Sequence, residues 1–494
     1  MNKKIKILAL MDSPTVSTGF GILAKNILKK LNETDKYDIT VVGINYRGTI
    51  NKEDLEKYPY TMTPAQPVGY SDIYGRGRTI QILTGKDIDI KAGFDLLFTI
   101  QDHFILAGTD NLAEGYNFSL RIKQLQKEIL LNEKVDKNYL FNWIGYYPVD
   151  GRLQDYWVTQ GIALCDYPIS YTEFGKDEML RFDTDKLNLK NRVEIIPHGV
   201  NTKDFYPLKD EEIKEFRKRY FQNEVKDDDF LIVNVSRNQI RKDLMSTLKA
   251  YAEYKKINDK AKLYLHSKRN DVGGDLWEIA KQVGLKETDI LLPINFNEMY
   301  GFPIETINKI YNSADVLLTT TLGEGWGFIN TEAMAVNKII IAPANSSIPE
   351  IIGMKDIYEK EVNIDYIEKN INTLRGIPVK SGYGLNDFIC MGIIDNGVIR
   401  PKTDIEDIVV KLDWVYKNKD KANKIAQQGY NWVQTISWDN VVNKWEQIFD
   451  KAYNELEKQR KINIKLNRND ICFCSSGKKY KHCHGNNGNN GSND

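Results

Sequence analysis

The chain has 494 residues, more than one hydrophobic core usually organises, so two large domains and an appendage are expected. Lysine plus arginine and aspartate plus glutamate each total 68, a balance that excludes a molecule-wide field steering the protein to nucleic acid or membrane. Five cysteines, three of them crowded near the C-terminal end, argue against a disulfide framework and for a reducing, cytoplasmic setting with one local metal site.

The opening MNKKIKILALMD mixes charge into its apolar run and lacks the small-residue cleavage site of a signal peptide. No later run reaches the length of a membrane-spanning helix. Short Ile/Val/Leu-rich runs then alternate with amphipathic stretches, the pattern of parallel strands buried under helices. A first series covers residues 3–11, 37–44, 94–100, 139–147, 165–171 and 193–197. A second covers 230–236, 262–267, 289–294, 314–320 and 338–343. Between them, residues 204–229 are charged and poor in strand formers, which predicts a helix and an interdomain linker. The reading is α/β: two Rossmann-like doubly wound domains, 1–222 and 223–425, facing a cleft, with helices over 426–460. Ligands in such sheets bind beyond the carboxyl ends of the strands, so the motifs at those ends carry the chemistry.

After the first strand, STGFG brings Gly19, Phe20 and Gly21 to a helix start, where backbone N–H groups suit a phosphate. Asp87 and Asp89 form a DxD among glycines and lysine, read as a solvated turn rather than a metal site. After the first strand of the second domain, Arg237, Arg241 and Lys242 put cations at a helix start, against its dipole, which calls for an anion such as a diphosphate. Later, LGEGWGFINTEAMAV sets Glu324 and Glu332 eight positions apart around Gly325, Trp326, Gly327 and Phe328. Consecutive N–H groups there suit an oxygen-rich ligand, and two carboxylates suit hydroxyls that must be oriented; Asn330 is the expected helix cap. At the C-terminal end, Cys472, Cys474, Cys483 and His484 supply the sulfur and nitrogen donors of a tetrahedral zinc site over 466–486, with His482 a weaker donor. Lys478, Lys479, Tyr480 and Lys481 form a basic, aromatic surface suited to a protein or nucleic-acid partner, and 487–494 reads as disordered.

These motifs, in this order, resemble retaining glycosyltransferases of the GT-B fold, family 4 type: STGFG, IPHGVNTKDFYP (196–207), the Arg237/Lys242 pair, EGWGFINTE and NSSIPEII (345–352). The resemblance implies a nucleotide sugar as donor, Arg237 and Lys242 on its diphosphate, the amides of Gly19 to Gly21 closing over it, Glu324 and the 325–328 amides on the sugar, and Glu332 on the ribose. It implies no catalytic metal. Where many relatives have a histidine, this chain reads YYPVDG, so Asp150, or alternatively His103 in TIQDHF, stands for it. The segment 354–392 is longer than the usual connection and is expected to shape the cleft rim or an oligomer contact. The cysteine-rich tail resembles the SEC-C motif, with structural zinc.

The expected function is therefore a cytoplasmic retaining glycosyltransferase. Its acceptor is open among glycan, lipid-linked compound, small molecule, protein and DNA. Two alternatives stand beside it: the same activity directed at a macromolecule through the zinc motif, and a nonenzymatic nucleotide- or glycan-binding adaptor.

Overall fold

The computed structural model describes residues 3–48, 57–67, 71–108, 116–294, 301–384, 386–462, 469–470 and 478–483. In the first domain β1 (Ile5–Asp12), β2 (Tyr37–Ile44), β3 (Thr61–Pro64), β4 (Leu96–Ile100), β5 (Asn142–Tyr147), β6 (Tyr167–Ser170) and β7 (Glu194–Ile195) form a parallel sheet in the order β3-β2-β1-β4-β5-β6-β7. β4 and β5 are buried along their whole length, which is why their sequences run apolar without alternation.

The second domain repeats the plan. It contains β8 (Phe230–Asn234), β9 (Ala261–Leu265), the short hairpin β10 (Asn270–Asp271) and β11 (Gly274–Asp275), β12 (Ile290–Leu291), β13 (Val316–Leu318), β14 (Ile339–Pro343) and β15 (Ile377–Val379). Its parallel sheet runs β12-β9-β8-β13-β14-β15. In both sheets the order reverses at the first strand, between β1 and β4 and between β8 and β13. A crevice opens outside the carboxyl ends at such a switch point, and the loops carrying Gly19–Gly21, His103, Arg237–Lys242 and Glu324 leave from these four strands.

Two strands of the main sheets were not expected. β3 is a half-exposed edge strand ending in proline, with too little apolar alternation to announce itself. β15 lies inside the segment read as an over-long connection, so part of 354–392 completes the sheet. The rest leads into an antiparallel hairpin of β16 (Phe388–Cys390) and β17 (Ile399–Pro401) at the cleft rim.

Helix α1 (Gly19–Glu33) follows β1, and helix α2 (Phe328–Ala335) follows β13. The long helix α3 (Trp438–Arg460) leaves the second domain beside Val200 and lies on the first sheet. There Trp445 and Phe449 each stand 5.2 Å from the Phe98 ring, Asn142 Nδ2 donates to Ala452 O at 2.8 Å, and Arg460 pairs with Asp95 at 2.7 Å. The core of the first domain is thus closed by residues from the far end of the chain.

Candidate active site

On the second-domain side, the loop after β8 meets the loop after β13. Lys242 Nζ donates to Glu324 Oε1 at 2.5 Å, and Arg241 Nη1 lies 3.2 Å from Glu324 Oε2. Arg241 also donates to the Gly323 carbonyl. Burial opposes ionisation of Glu324, but Lys242 and Arg241 outweigh it and hold the carboxyl below its usual range. The loop that carries Glu324 is braced by the NSS segment: Glu324 N donates to Ser346 Oγ at 2.8 Å and Ser347 Oγ donates to Glu324 O at 2.6 Å. Asn345 Nδ2 donates to Thr321 O at 3.1 Å, fixing the strand end. These serine roles explain why NSSIPEII accompanies the glutamate pair.

Gly327 has φ +87°, a left-handed conformation that makes the turn into α2 and favours glycine. It is also the helix cap. Asn330 is not, contrary to expectation, because the helix starts two residues before it; its buried amide makes no hydrogen bond among the described residues. One turn into α2, Glu332 accepts from Tyr311 Oη at 2.7 Å. Burial without a cation at hand pushes the Glu332 carboxyl up to about 7. Trp326 points inward to the rings of His198 and Trp432, and Phe328 stacks on His198 at 4.8 Å, so these two residues reach the cleft by their backbone.

On the first-domain side, Thr18 caps α1: its Oγ1 accepts from Gly21 N at 2.9 Å and donates to Asp12 Oδ2 at 2.5 Å. The N–H groups of Gly19 and Phe20 make no hydrogen bond among the described residues. A Cβ on Gly21 would collide with the Val16 carbonyl, whereas one on Gly19 would meet nothing within 4 Å. Asp150 bridges the domains. Its Oδ2 lies 3.2 Å from Arg241 Nε and its Oδ1 3.2 Å from Arg400 Nη1 on β17, which also donates to the Asp150 carbonyl at 2.8 Å. Burial acts to raise the Asp150 carboxyl, and the two guanidinium groups overcome it. Arg400 is anchored in turn by Asp395, at 2.5 and 2.9 Å. A single chain of charges, Asp395–Arg400–Asp150–Arg241–Glu324–Lys242, therefore runs from the rim hairpin through the first domain into the second.

The remaining sequence-derived residues lie at varying distance from this cluster. His103 is buried, with Nδ1 3.2 Å from Pro148 O and its ring 4.8 Å from Trp157; burial lowers it to about 4, so it is neutral. Arg237 pairs with Asp271 of β10 at 2.7 Å and has a 60% exposed side chain, while Arg241 occupies the cleft beside Lys242. Asp87 and Asp89 both engage Arg78, at 3.0 and 3.1 Å. Of the four zinc donors only Cys483 lies within the described residues; Cys472, Cys474 and His484 lie outside them. Sequence reasoning missed Asp102, just after β4, whose carboxyl burial and the nearby Asp150 push up to about 7. It also missed Arg400 and Glu350, whose Oε2 accepts from Glu173 N of the first domain at 2.8 Å. Only the position of Asp102 after a switch-point strand could have signalled it.

Residues 215–375 match the family described as Glycosyl transferases group 1, and residues 468–486 match the SEC-C motif. The chain is 25% identical over 246 residues to an uncharacterized glycosyltransferase of Methanocaldococcus jannaschii, covering 48% of this chain and 55% of that one. It is 55% identical over 40 residues to protein translocase subunit SecA of Ehrlichia ruminantium, covering 8% of this chain and 5% of that one. The chain thus spans little more than half the length of one relative and a small fraction of the other. Among solved structures it resembles sucrose-phosphate synthase of Thermosynechococcus elongatus, with TM-score 0.62, 14% identity, and 92% of this chain and 100% of that one covered. It also resembles HepE of Anabaena in complex with UDP and glucose, with TM-score 0.59, 13% identity, and 90% and 100% covered. The fold is that of the GT-B glycosyltransferases. The chain carries a glycosyl transferases group 1 domain and a C-terminal SEC-C motif.

Proposed function

We propose that the protein is a retaining glycosyltransferase that moves a sugar from a nucleoside diphosphate sugar to an acceptor hydroxyl. The observation that carries this reading is the cluster of Lys242, Arg241 and Glu324 at the switch point of the second sheet, opposite the unengaged N–H groups at the start of α1. In transfer, the bond between the sugar's anomeric carbon and the diphosphate breaks and the diphosphate keeps the electron pair. The acceptor oxygen bonds to that carbon on the same face and its proton passes to the departing phosphate. Negative charge collects on the leaving group, where Lys242, a guanidinium and the amides of Gly19 and Phe20 stabilise it; the Gly21 amide, expected to join them, is taken by Thr18. Arg241, which lies beside Lys242 and Glu324, supplies the guanidinium, and Arg237 joins it by leaving Asp271. Glu324, released from Lys242 by the incoming diphosphate, and the amides of Gly325 to Phe328 hold the sugar hydroxyls. Glu332, a half-buried carboxylate whose side chain has only Tyr311 as a partner among the described residues, accepts from the ribose. Asp150 and His103 line the acceptor side. HepE, of the same fold, binds UDP and glucose, which supports a nucleotide sugar donor.

In the tail, Cys472, Cys474, Cys483 and His484 would hold a structural zinc, since three thiolates and an imidazole are the donor set that a tetrahedral zinc takes. The zinc would supply folding energy to a segment too small for its own core.

The test is nucleoside diphosphate release from a panel of UDP, GDP and ADP sugars, with the anomer of the product assigned by NMR. Release from one donor with retained configuration, lost in Lys242→Ala, is expected. No release and no calorimetric binding of any donor would overturn the proposal.

A further inference from the structure

A second cavity lies at the opposite end of the first domain, at the amino ends of β1, β2 and β3. It has a volume of about 410 Å³, and three tyrosines, Tyr37, Tyr58 and Tyr60, line it together with Lys4, Asn32 and Asp38. Tyr58 and Tyr60, on either side of Pro59, set their rings 6.3 Å apart at 65° and so offer two differently inclined apolar surfaces. The side chains of Asn32 and Asp38 at the rim make no hydrogen bond among the described residues. Tyr37, 3% exposed, and Tyr60 have hydroxyls buried from solvent that likewise make none among the described residues, so it is the rings of these two that face the cavity's lining.

We propose that this cavity is a noncatalytic binding site for a neutral saccharide. The chemistry of the lining selects the class. Pyranose rings present an apolar C–H face bordered by hydroxyls. Inclined aromatic faces cover the first, while an amide and a carboxylate, donor and acceptor in the first case and acceptor only in the second, take the second. The rim carries one carboxylate, Asp38, and one ammonium, Lys4, which already pairs with Asp35, so its charges balance and a neutral ligand fits it better than a phosphate. That the ligand is a saccharide rather than another ring with hydroxyls rests on the transferase reading above. Position narrows it further. β1 spans eight residues between this cavity and the cleft, or roughly 25 Å at about 3.3 Å per residue, so one monosaccharide does not occupy both. A chain of several sugar units does, and the site then retains a polymeric acceptor or product while its end reacts elsewhere, raising its effective concentration at the cleft.

The experiment is affinity electrophoresis of the full chain through gels containing soluble starch, galactomannan, xylan or dextran, with Tyr58→Ala and Asn32→Ala variants whose thermal unfolding is first matched to wild type. Retardation of wild type by at least one polysaccharide, weakened at least tenfold in both variants with donor hydrolysis unchanged, is expected. Migration of wild type unaffected by all four polymers, or retardation equal in the variants, would overturn the proposal whether or not the enzyme turns over. Retardation that depends on Tyr58 in a protein that releases no nucleoside diphosphate would leave this site standing and sink the transferase reading instead.

Discussion

The two faces of the cleft are built on one plan and prepared in opposite ways. On the second-domain face the charged groups occupy one another: Glu324 is held by Lys242 and Arg241, and its loop is pinned by Ser346 and Ser347. On the first-domain face Asp150 is held by Arg241 and Arg400, but Asp12 and Asp102 have no cation in hydrogen-bond contact among the described residues, and the start of α1 keeps the N–H groups of Gly19 and Phe20 open. The contrast teaches where the cost of binding falls. Under the proposed function, a diphosphate arriving on the second face finds Lys242 and Arg241 already in place but must displace Glu324 from them. A ligand on the first face finds groups with unmet hydrogen-bonding capacity.

Substitutions can break this asymmetry, and the largest effect is expected at its centre. Lys242→Ala should lower nucleoside diphosphate release by about 10²–10³-fold, as loss of one charge-stabilising donor does elsewhere; a change under threefold would remove Lys242 from the chemistry. Next comes the bridge between the faces. Arg400→Ala leaves Asp395 and one oxygen of Asp150 without a guanidinium and should cost about 3 kcal/mol in urea unfolding, with Arg400→Lys recovering little because the lysine cannot pair in a fork.

A smaller effect is expected from pH. Glu332 is raised to about 7, so it is mostly an acceptor-only carboxylate, the stronger partner for the ribose hydroxyls of the proposed donor, above that pH and mostly neutral below it. Donor affinity measured by calorimetry should fall as pH drops below about 7, by up to about tenfold per unit. Glu332→Gln should bind more weakly at pH 8 and remove this component, leaving any dependence due to Asp102; an identical profile in wild type and variant would refute the assignment. The smallest effect sharpens the first face alone. Gly21→Ala should destabilise by about 1–3 kcal/mol through its clash with Val16, while Gly19→Ala should stay within about 0.5 kcal/mol, both read by thermal unfolding.

Most of the fold was legible because its strands are buried on both sides and therefore written as unbroken Ile/Val/Leu runs. β2 coincides with its predicted span, residues 37–44. β3 was not, since an edge strand reading TMTP carries neither alternation nor an apolar run. At the site, the sequence showed the residues clustered on single loops: Lys242 beside Arg241, and Glu324 beside Gly325. It could not show Arg400, which acts on a residue 250 positions away. Nor could it show that Arg237 would pair with Asp271 while its neighbour faced the cleft, because loop direction is set by the 270–275 hairpin packed beside it. Asn330 misled because an Asn-Thr-Glu run looks like a cap, whereas the left-handed Gly327 had already begun the helix.

The placement of α3 bears on how the molecule is made. Phe98 belongs to the first sheet to leave the ribosome, yet the rings that cover it, Trp445 and Phe449, are synthesised some 350 residues later. At 5–20 residues per second, roughly 20 to 70 s separates the two. Throughout that interval the first sheet presents an uncovered aromatic surface to solvent or to a chaperone. A nascent chain interrupted before residue 438 carries that surface permanently, which marks it for disposal.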